Sequence, residues 1–154
     1  MQVTKVAVEV EQDKGLVAWL EVVKAYQACY AALSREFKPL DLSVAQHDML
    51  VAIYNADGVN QQHLAEKLLV VKSNVTALLS RLETRGLVLR EVDAQDARAK
   101  QVYLTPEGKA LVEKSLERQA AVLEQMVSVL ETDEIEVLEA AMRRVRGRLE
   151  AGLP

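Results

Sequence analysis

The chain has 154 residues, 50% of them apolar and 27% charged, enough for one compact domain with a helical extension and too apolar for wholesale disorder. No apolar run approaches the roughly 18 residues a membrane span needs, and the N-terminus lacks the basic-then-apolar order of a secretory signal. The single cysteine, Cys29, excludes an intramolecular disulfide framework and a multi-cysteine metal site, so the expected setting is the cytoplasm.

Charge is informative by segment. The net is −4, but residues 1–59 and 110–154 each carry −3 while residues 60–109 carry +2. A chain that bound nucleic acid over its whole surface would be basic throughout. Here any contact with a polyanion is expected to be local and to fall in the middle third.

Residues 3–10 alternate weakly in hydrophobicity and are compatible with a short strand, a helical extension or an arm; residues 1–14 are set apart as an N-terminal arm. From 15 to 37, Leu16, Trp19, Leu20, Val23, Tyr26, Tyr30, Leu33 and Phe37 recur every three or four positions, the stripe of a long amphipathic helix. It stops ahead of Lys38 and Pro39, because the residue before a proline is pushed out of helical geometry.

Ser43-Val44-Ala45-Gln46 is a capping box that opens a second helix through Met49, Leu50 and Ile53, ending at the turn composition Asn55-Ala56-Asp57-Gly58. Asn60 caps a short third helix, with Val59 and Leu64 as a hydrophobic staple.

A fourth helix between Lys72 and Arg85 places Val75, Leu78, Leu79 and Leu82 at i, i+3, i+4 and i+7, a buried face. The opposite side carries Ser73, Thr76, Ala77, Ser80 and Thr84, flanked by Asn74 and Arg81, all small or hydrogen-bonding. Gly86 supplies the stop.

The runs Leu87-Val88-Leu89-Arg90-Glu91-Val92 and Gln101-Val102-Tyr103-Leu104 flank the polar residues 93–100 and predict a hairpin with a charged tip. Thr105-Pro106-Glu107 opens a fifth helix with a threonine cap, proline in first position and an acid in the first turn. It carries Val112, Leu116, Gln119, Leu123, Met126 and Leu130. A sixth, opened by Thr132-Asp133-Glu134, carries Ile135, Leu138, Met142, Val145 and Leu149. These narrow seams are the pattern of helices that pack lengthwise against partners.

Short helix, turn, helix and β-hairpin make the winged helix-turn-helix arrangement. The blocks Leu42-Ser43-Val44-Ala45-Gln46, Leu64-Ala65-Glu66-Lys67-Leu68, Lys72-Ser73-Asn74-Val75-Thr76 and Arg81-Leu82-Glu83-Thr84-Arg85-Gly86-Leu87-Val88-Leu89-Arg90 resemble the MarR family of bacterial transcriptional regulators. The wing and its exit, Asp93 to Gly108, match as well. Leu69, where the family often has glycine, and Val71, where it usually has a polar cap, depart from the pattern.

The fold implied is mainly α with a small β-hairpin wing (α+β): a winged helix-turn-helix domain at 41–105 and a helical dimerisation region from 15–40 and 106–154. The resemblance implies that Ser73, Asn74, Thr76, Ala77 and Ser80 face the major groove of double-stranded DNA. Their short side chains permit close approach, Asn74 can pair with adenine, and Ala77 can touch a thymine methyl. It also implies that Arg98, in Asp96-Ala97-Arg98, enters the minor groove of an A·T-rich palindromic operator, with Asp96 supporting the wing arginines. Lys72, Arg81, Arg85, Arg90, Lys100, Gln61 and Gln62 would contact phosphate, which fixes register without reading sequence.

A fifth helix of about 25 residues would be about 37 Å long, close to the roughly 34 Å between successive major grooves, and a homodimer is expected. Family members commonly respond to small aromatic acids, drugs, metals or oxidants; Trp19, Tyr26, Tyr30, His47 and Tyr54 form a candidate pocket for a small aromatic effector, set against their reading as plain core. Cys29 is expected to be a buried, inert thiol. Metal ligation and cofactors are not expected, the only histidines being His47 and His63.

The function expected is that of a dimeric, ligand-responsive DNA-binding regulator, most simply a repressor. The alternative is a winged-helix module that binds another protein. An enzyme is not expected, since no metalloprotease, phosphate-loop or nucleophile–histidine motif is present.

Overall fold

In a computed structural model, residues 14–56, 58–61, 63–64, 72–92 and 100–152 are described, the side chains of Lys72, Ser73 and Asn74 excepted. All of the expected arm but Lys14, which is helical, most of the third helix, and the hairpin tip at 93–99 therefore lie outside the described residues. Helices α1 (Lys14–Phe37), α2 (Val44–Tyr54), α3 (Lys72–Thr84), α4 (Pro106–Val127) and α5 (Thr132–Glu150) are joined by strands β1 (Val59–Asn60), β2 (Val88–Val92) and β3 (Lys100–Leu104). The fourth helix read from the sequence is α3. Among the described residues no helix is long and apolar enough to cross a membrane.

The chain divides into two units, Met1–Gln119 and Ala120–Pro154. In the first, Val75, Leu79 and Leu82 of α3 are buried with Met49, Leu50 and Ile53 of α2, Val88 and Val102 of the sheet, Val112 of α4, and Leu64. Each such side chain contributes about 1.5–3 kcal/mol when taken out of water.

The sheet is antiparallel with β3 central, Val59 facing Val102 on one side and Val88 facing Leu104 on the other. The strand at Val59 and Asn60 is a departure from the sequence reading, which saw only a helix cap there; its partner lies about forty residues away and no local pattern announces it.

The end signals act as read. Ser43 Oγ accepts from Gln46 N at 3.2 Å, and Gln46 Oε1 accepts from Ser43 N at 2.9 Å. Gly86, at φ +68°, closes α3: its N–H donates to Glu83 O and Leu87 N–H donates to Leu82 O. The same pair of bonds closes the 3₁₀ turn Lys38–Leu40, with Asp41 at φ 53° in the left-handed position. Thr105 caps α4, accepting from Gly108 N at 3.0 Å while donating to Gly86 O at 2.7 Å. A Cβ on Gly108 would stand 2.0 Å from Leu87 O, so the two segments approach as only glycine allows.

One buried polar group ties three helices together. His47 of α2 stacks on Phe37 of α1, with ring centroids 4.3 Å apart. Its Nδ1 lies 2.9 Å from Ser115 Oγ and its Nε2 3.2 Å from Gln119 Oε1, both on α4. Ser115 Oγ in turn lies 2.8 Å from Val112 O, which ties the ring to the α4 backbone. Burial pushes the imidazole down from its ordinary value, against the opposing pull of Gln119 and Asp48.

One expectation is corrected. The long helix after the hairpin ends at Val127, where Ser128 turns its hydroxyl back onto Gln125 O; its 22 residues span about 33 Å, not 37. The α1 stripe is not buried in the single chain. Only Phe37 is enclosed, while Trp19, Leu20, Tyr26 and Tyr30 are 41–68% exposed. In the second unit, Ile135, Leu138, Met142, Val145 and Leu149 are likewise open to water.

Two stability tests follow from these contacts. Gly86→Ala has room for its methyl and is expected to lose about 1–2 kcal/mol, the cost of left-handed backbone. Gly108→Ala drives its methyl into a carbonyl and is expected to lose about 3 kcal/mol or more in urea unfolding; equal losses would contradict the account. His47 has a lower pKa folded than unfolded, so the unfolded chain binds more protons below about pH 6.5. Stability is expected to be full above that pH and to fall on acidification towards the folded value. A His47→Gln chain should lack this part of the slope.

Candidate nucleic-acid interface

Helix α3 presents two chemically different sides. Val75, Leu79 and Leu82 face the core, with Leu78 half-buried; Thr76, Ala77, Ser80, Arg81 and Thr84 are exposed on the other side. The helix is described from Lys72 to Thr84, and Val71 lies outside the described residues. Lys72, Ser73 and Asn74 are helical, which places their Cα positions on its first turn. The exposed hydroxyls and methyl are short enough to let a helix backbone approach the floor of a groove, with the Arg81 guanidinium beside them.

Two donors from outside α3 hold its polar groups in place, and a third, just past its end, ties it to the 3₁₀ turn. Gln61 Nε2 donates to Thr76 Oγ1 at 3.3 Å. From β2, Arg90 Nε donates to Glu83 Oε2 at 3.0 Å, and its terminal nitrogen reaches the same oxygen and Ser80 Oγ, the latter at 3.4 Å. Arg85 turns back to the 3₁₀ turn, donating to Asp41 O at 2.6 Å and lying 3.5 Å from Leu40 O and Asp41 Oδ2. The hydrogen bond from Arg90, reinforced by the charges of Arg90 and Lys100, holds the Glu83 carboxyl below the usual carboxylate range. The Arg90 side chain is only 17% exposed, so removing Glu83 would leave a largely desolvated guanidinium without its partner.

The expected phosphate-binding residues therefore separate into two sets. Arg81 and Lys100 stand exposed at the edges of the α3 face and the hairpin. Arg85 and Arg90 are engaged within the protein, which sequence reasoning could not foresee because their partners lie on other elements. Gln61 is half-buried against Thr76. Asp96, Arg98 and Gln62 lie outside the described residues.

The five aromatic and histidine residues grouped as an effector pocket are not brought together. Trp19, Tyr26 and Tyr30 are exposed along α1, the last two with ring centroids 6.3 Å apart. His47 is enclosed in the core. Tyr54 lies at the end of α2, its hydroxyl donating to Glu113 at 3.3 Å, and the Glu113 carboxylate pushes the phenol up from its ordinary value. Aromatics at i and i+4 on one helix make a face, not a cavity. Cys29 is half-buried on the same helix, less enclosed than expected.

A profile described as MarR family matches residues 40–99. A curated relative, an uncharacterized HTH-type transcriptional regulator of Bacillus cereus, is 33% identical over 133 residues, spanning 85% of this chain and 88% of its own. Among solved structures, the S. aureus MepR–DNA complex superposes with a TM-score of 0.79 at 28% identity, covering 86% of this chain and 97% of that one. A mutant MarR from E. coli complexed with operator DNA gives a TM-score of 0.79 at 25% identity, over 86% and 96%. The blocks read from the sequence, the three-stranded sheet beside α3 and these likenesses agree: the chain belongs to the MarR family of transcriptional regulators.

Proposed function

We propose that the protein is a dimeric repressor that binds a palindromic, A·T-rich operator, with α3 in the major groove and the hairpin tip in the minor groove, and that a small ligand relieves the binding. The observation that carries this reading is the two-sided α3, buried through Val75, Leu79 and Leu82 and open through Thr76, Ala77 and Ser80. That MepR and the MarR variant were solved with DNA supports it. On this reading Ser73, Asn74, Thr76, Ala77 and Ser80 meet base edges, while Lys72, Arg81 and Lys100 meet phosphates. Arg98 enters the minor groove and Asp96 orients the wing arginines. Arg85 and Arg90 serve chiefly to fix the helix against its neighbours.

The dimer reading rests on apolar faces too large to leave in water: Trp19 and Leu20 on α1, and Leu138, Met142, Val145 and Leu149 on α5. One winged helix reads too few base pairs to find a site in a genome, and a two-fold dimer doubles the site. A small aromatic effector would be enclosed along Trp19, Tyr26 and Tyr30 only once a second chain covers them. As a regulator of transcription, the protein would work in the cytoplasm.

Fluorescence anisotropy with A·T-rich palindromic duplexes over a salt series tests the DNA reading. Binding is expected to weaken along a straight line in log K against log salt. Arg81→Ala should weaken all sequences alike and make the slope shallower by about one. Arg98→Ala should weaken binding about five- to 150-fold, a loss of about 1–3 kcal/mol at one contact. Indifference to both salt and sequence would leave the protein-binding module as the better account.

Sedimentation of the intact chain tests the dimer. The wild type is expected at twice the chain mass at micromolar concentration. Leu138→Glu and Met142→Glu, each placing a charge in the seam, should yield single chains that retain their helical circular dichroism. A wild type that sediments as one chain would end the dimer reading.

A further inference from the structure

Gln61 was expected to contact a phosphate, yet its amide is committed to the recognition face itself. We propose that Gln61 is a specificity-positioning residue, which sets the Thr76 hydroxyl to donate to bases rather than to accept from them. The inference rests on the reading that α3 enters the major groove.

A threonine hydroxyl has one proton and two lone pairs. Gln61 Nε2 donates into one of those lone pairs at 3.3 Å, with Gln61 half-buried and Thr76 exposed. Accepting a hydrogen bond polarises the O–H and makes it a better donor. The hydroxyl so held favours the acceptors of the major groove, namely purine N7, guanine O6 and thymine O4, and disfavours the amino group of cytosine.

The same arrangement recurs one turn along. Arg90 donates to Ser80 Oγ at 3.4 Å, so the hydroxyls four residues apart on α3 are each met from behind by a donor carried on another element. Neither donor is on α3, and neither would be predicted from the helix face alone. Thr76 and Ser80 are thereby both biased towards offering protons.

The test is selection from randomised double-stranded DNA followed by sequencing, using the full chain and the variants Gln61→Ala, Gln61→Glu, Thr76→Val and Gln61→Ala/Thr76→Val. Gln61→Ala is expected to lose roughly three- to tenfold of base preference at one position of the half-site, the position that Thr76→Val also loses. Every other position and the salt slope should stay unchanged, and the double variant should lose no more than either single one. Gln61→Glu replaces the donor by an acceptor that takes the Thr76 proton, so preference at that position should move towards bases presenting an amino group.

Uniform weakening of all sequences by Gln61→Ala, with a shallower salt slope, would make Gln61 a phosphate contact and overturn the proposal. Additive losses in the double variant would overturn it too. If the wild type enriches no motif at all, the major-groove reading falls first and takes this inference with it, an outcome distinct from both. Thermal melts of each variant separate a failure to fold from a change in reading, because preference among sequences is scored on the folded fraction alone.

Discussion

Where α3 ends, the Gly86 and Leu87 carbonyls accept from the Thr105 hydroxyl and the Thr105 amide, and Leu87 O lies against Gly108 with no space for a side chain. The hairpin leaves from this junction and returns to it. The direction of α3, the start of α4 and the root of the wing are therefore set by one backbone contact. Three elements that must present a single surface are fixed at one end before any side chain on that surface is considered. Apolar burial decides that α3 packs; the junction decides which way it points.

Polar groups then refine what packing leaves loose. Arg85, Arg90 and Gln61 each reach from another segment to α3 or to the turn beside it, and Glu83 is kept charged by the guanidinium it binds. Such ties add little energy when exposed, but they are directional where the hydrophobic effect is not. Their cost is that cations which would otherwise serve a polyanion are withdrawn from it. The surface is shaped as much by the arginines turned inward as by those left outside.

Much of this was legible because its causes are local. The Ser43 and Gln46 box, the Gly86 stop, the Thr105 cap and the period of Val75, Leu79 and Leu82 each depend on residues within one or two turns, and the hairpin strands lie within a few positions of one another. The element order carried the family resemblance for the same reason. What stayed hidden depends on distance along the chain. Val59 pairs with a strand about forty residues on, His47 meets Ser115 and Gln119 on α4, and Arg85 finds a carbonyl 44 positions back. The aromatic stripe of α1 was visible, but a stripe does not say what lies opposite it. Whether Trp19 and Tyr26 line a cavity or a face depends on a surface that the single sequence does not specify.

The two imidazoles of the chain occupy opposite environments, His63 in water and His47 sealed beneath Phe37. Ring-current shielding from the stacked benzene is expected to displace the C–H proton resonances of the enclosed ring, and those of its exposed counterpart are expected near random-coil positions. The protein thus carries an intrinsic nuclear magnetic resonance reporter at the meeting point of α1, α2 and α4, with an internal reference, readable without isotopic or chemical labelling. Any rearrangement that separates those helices would register as movement of one pair of signals while the other stays fixed.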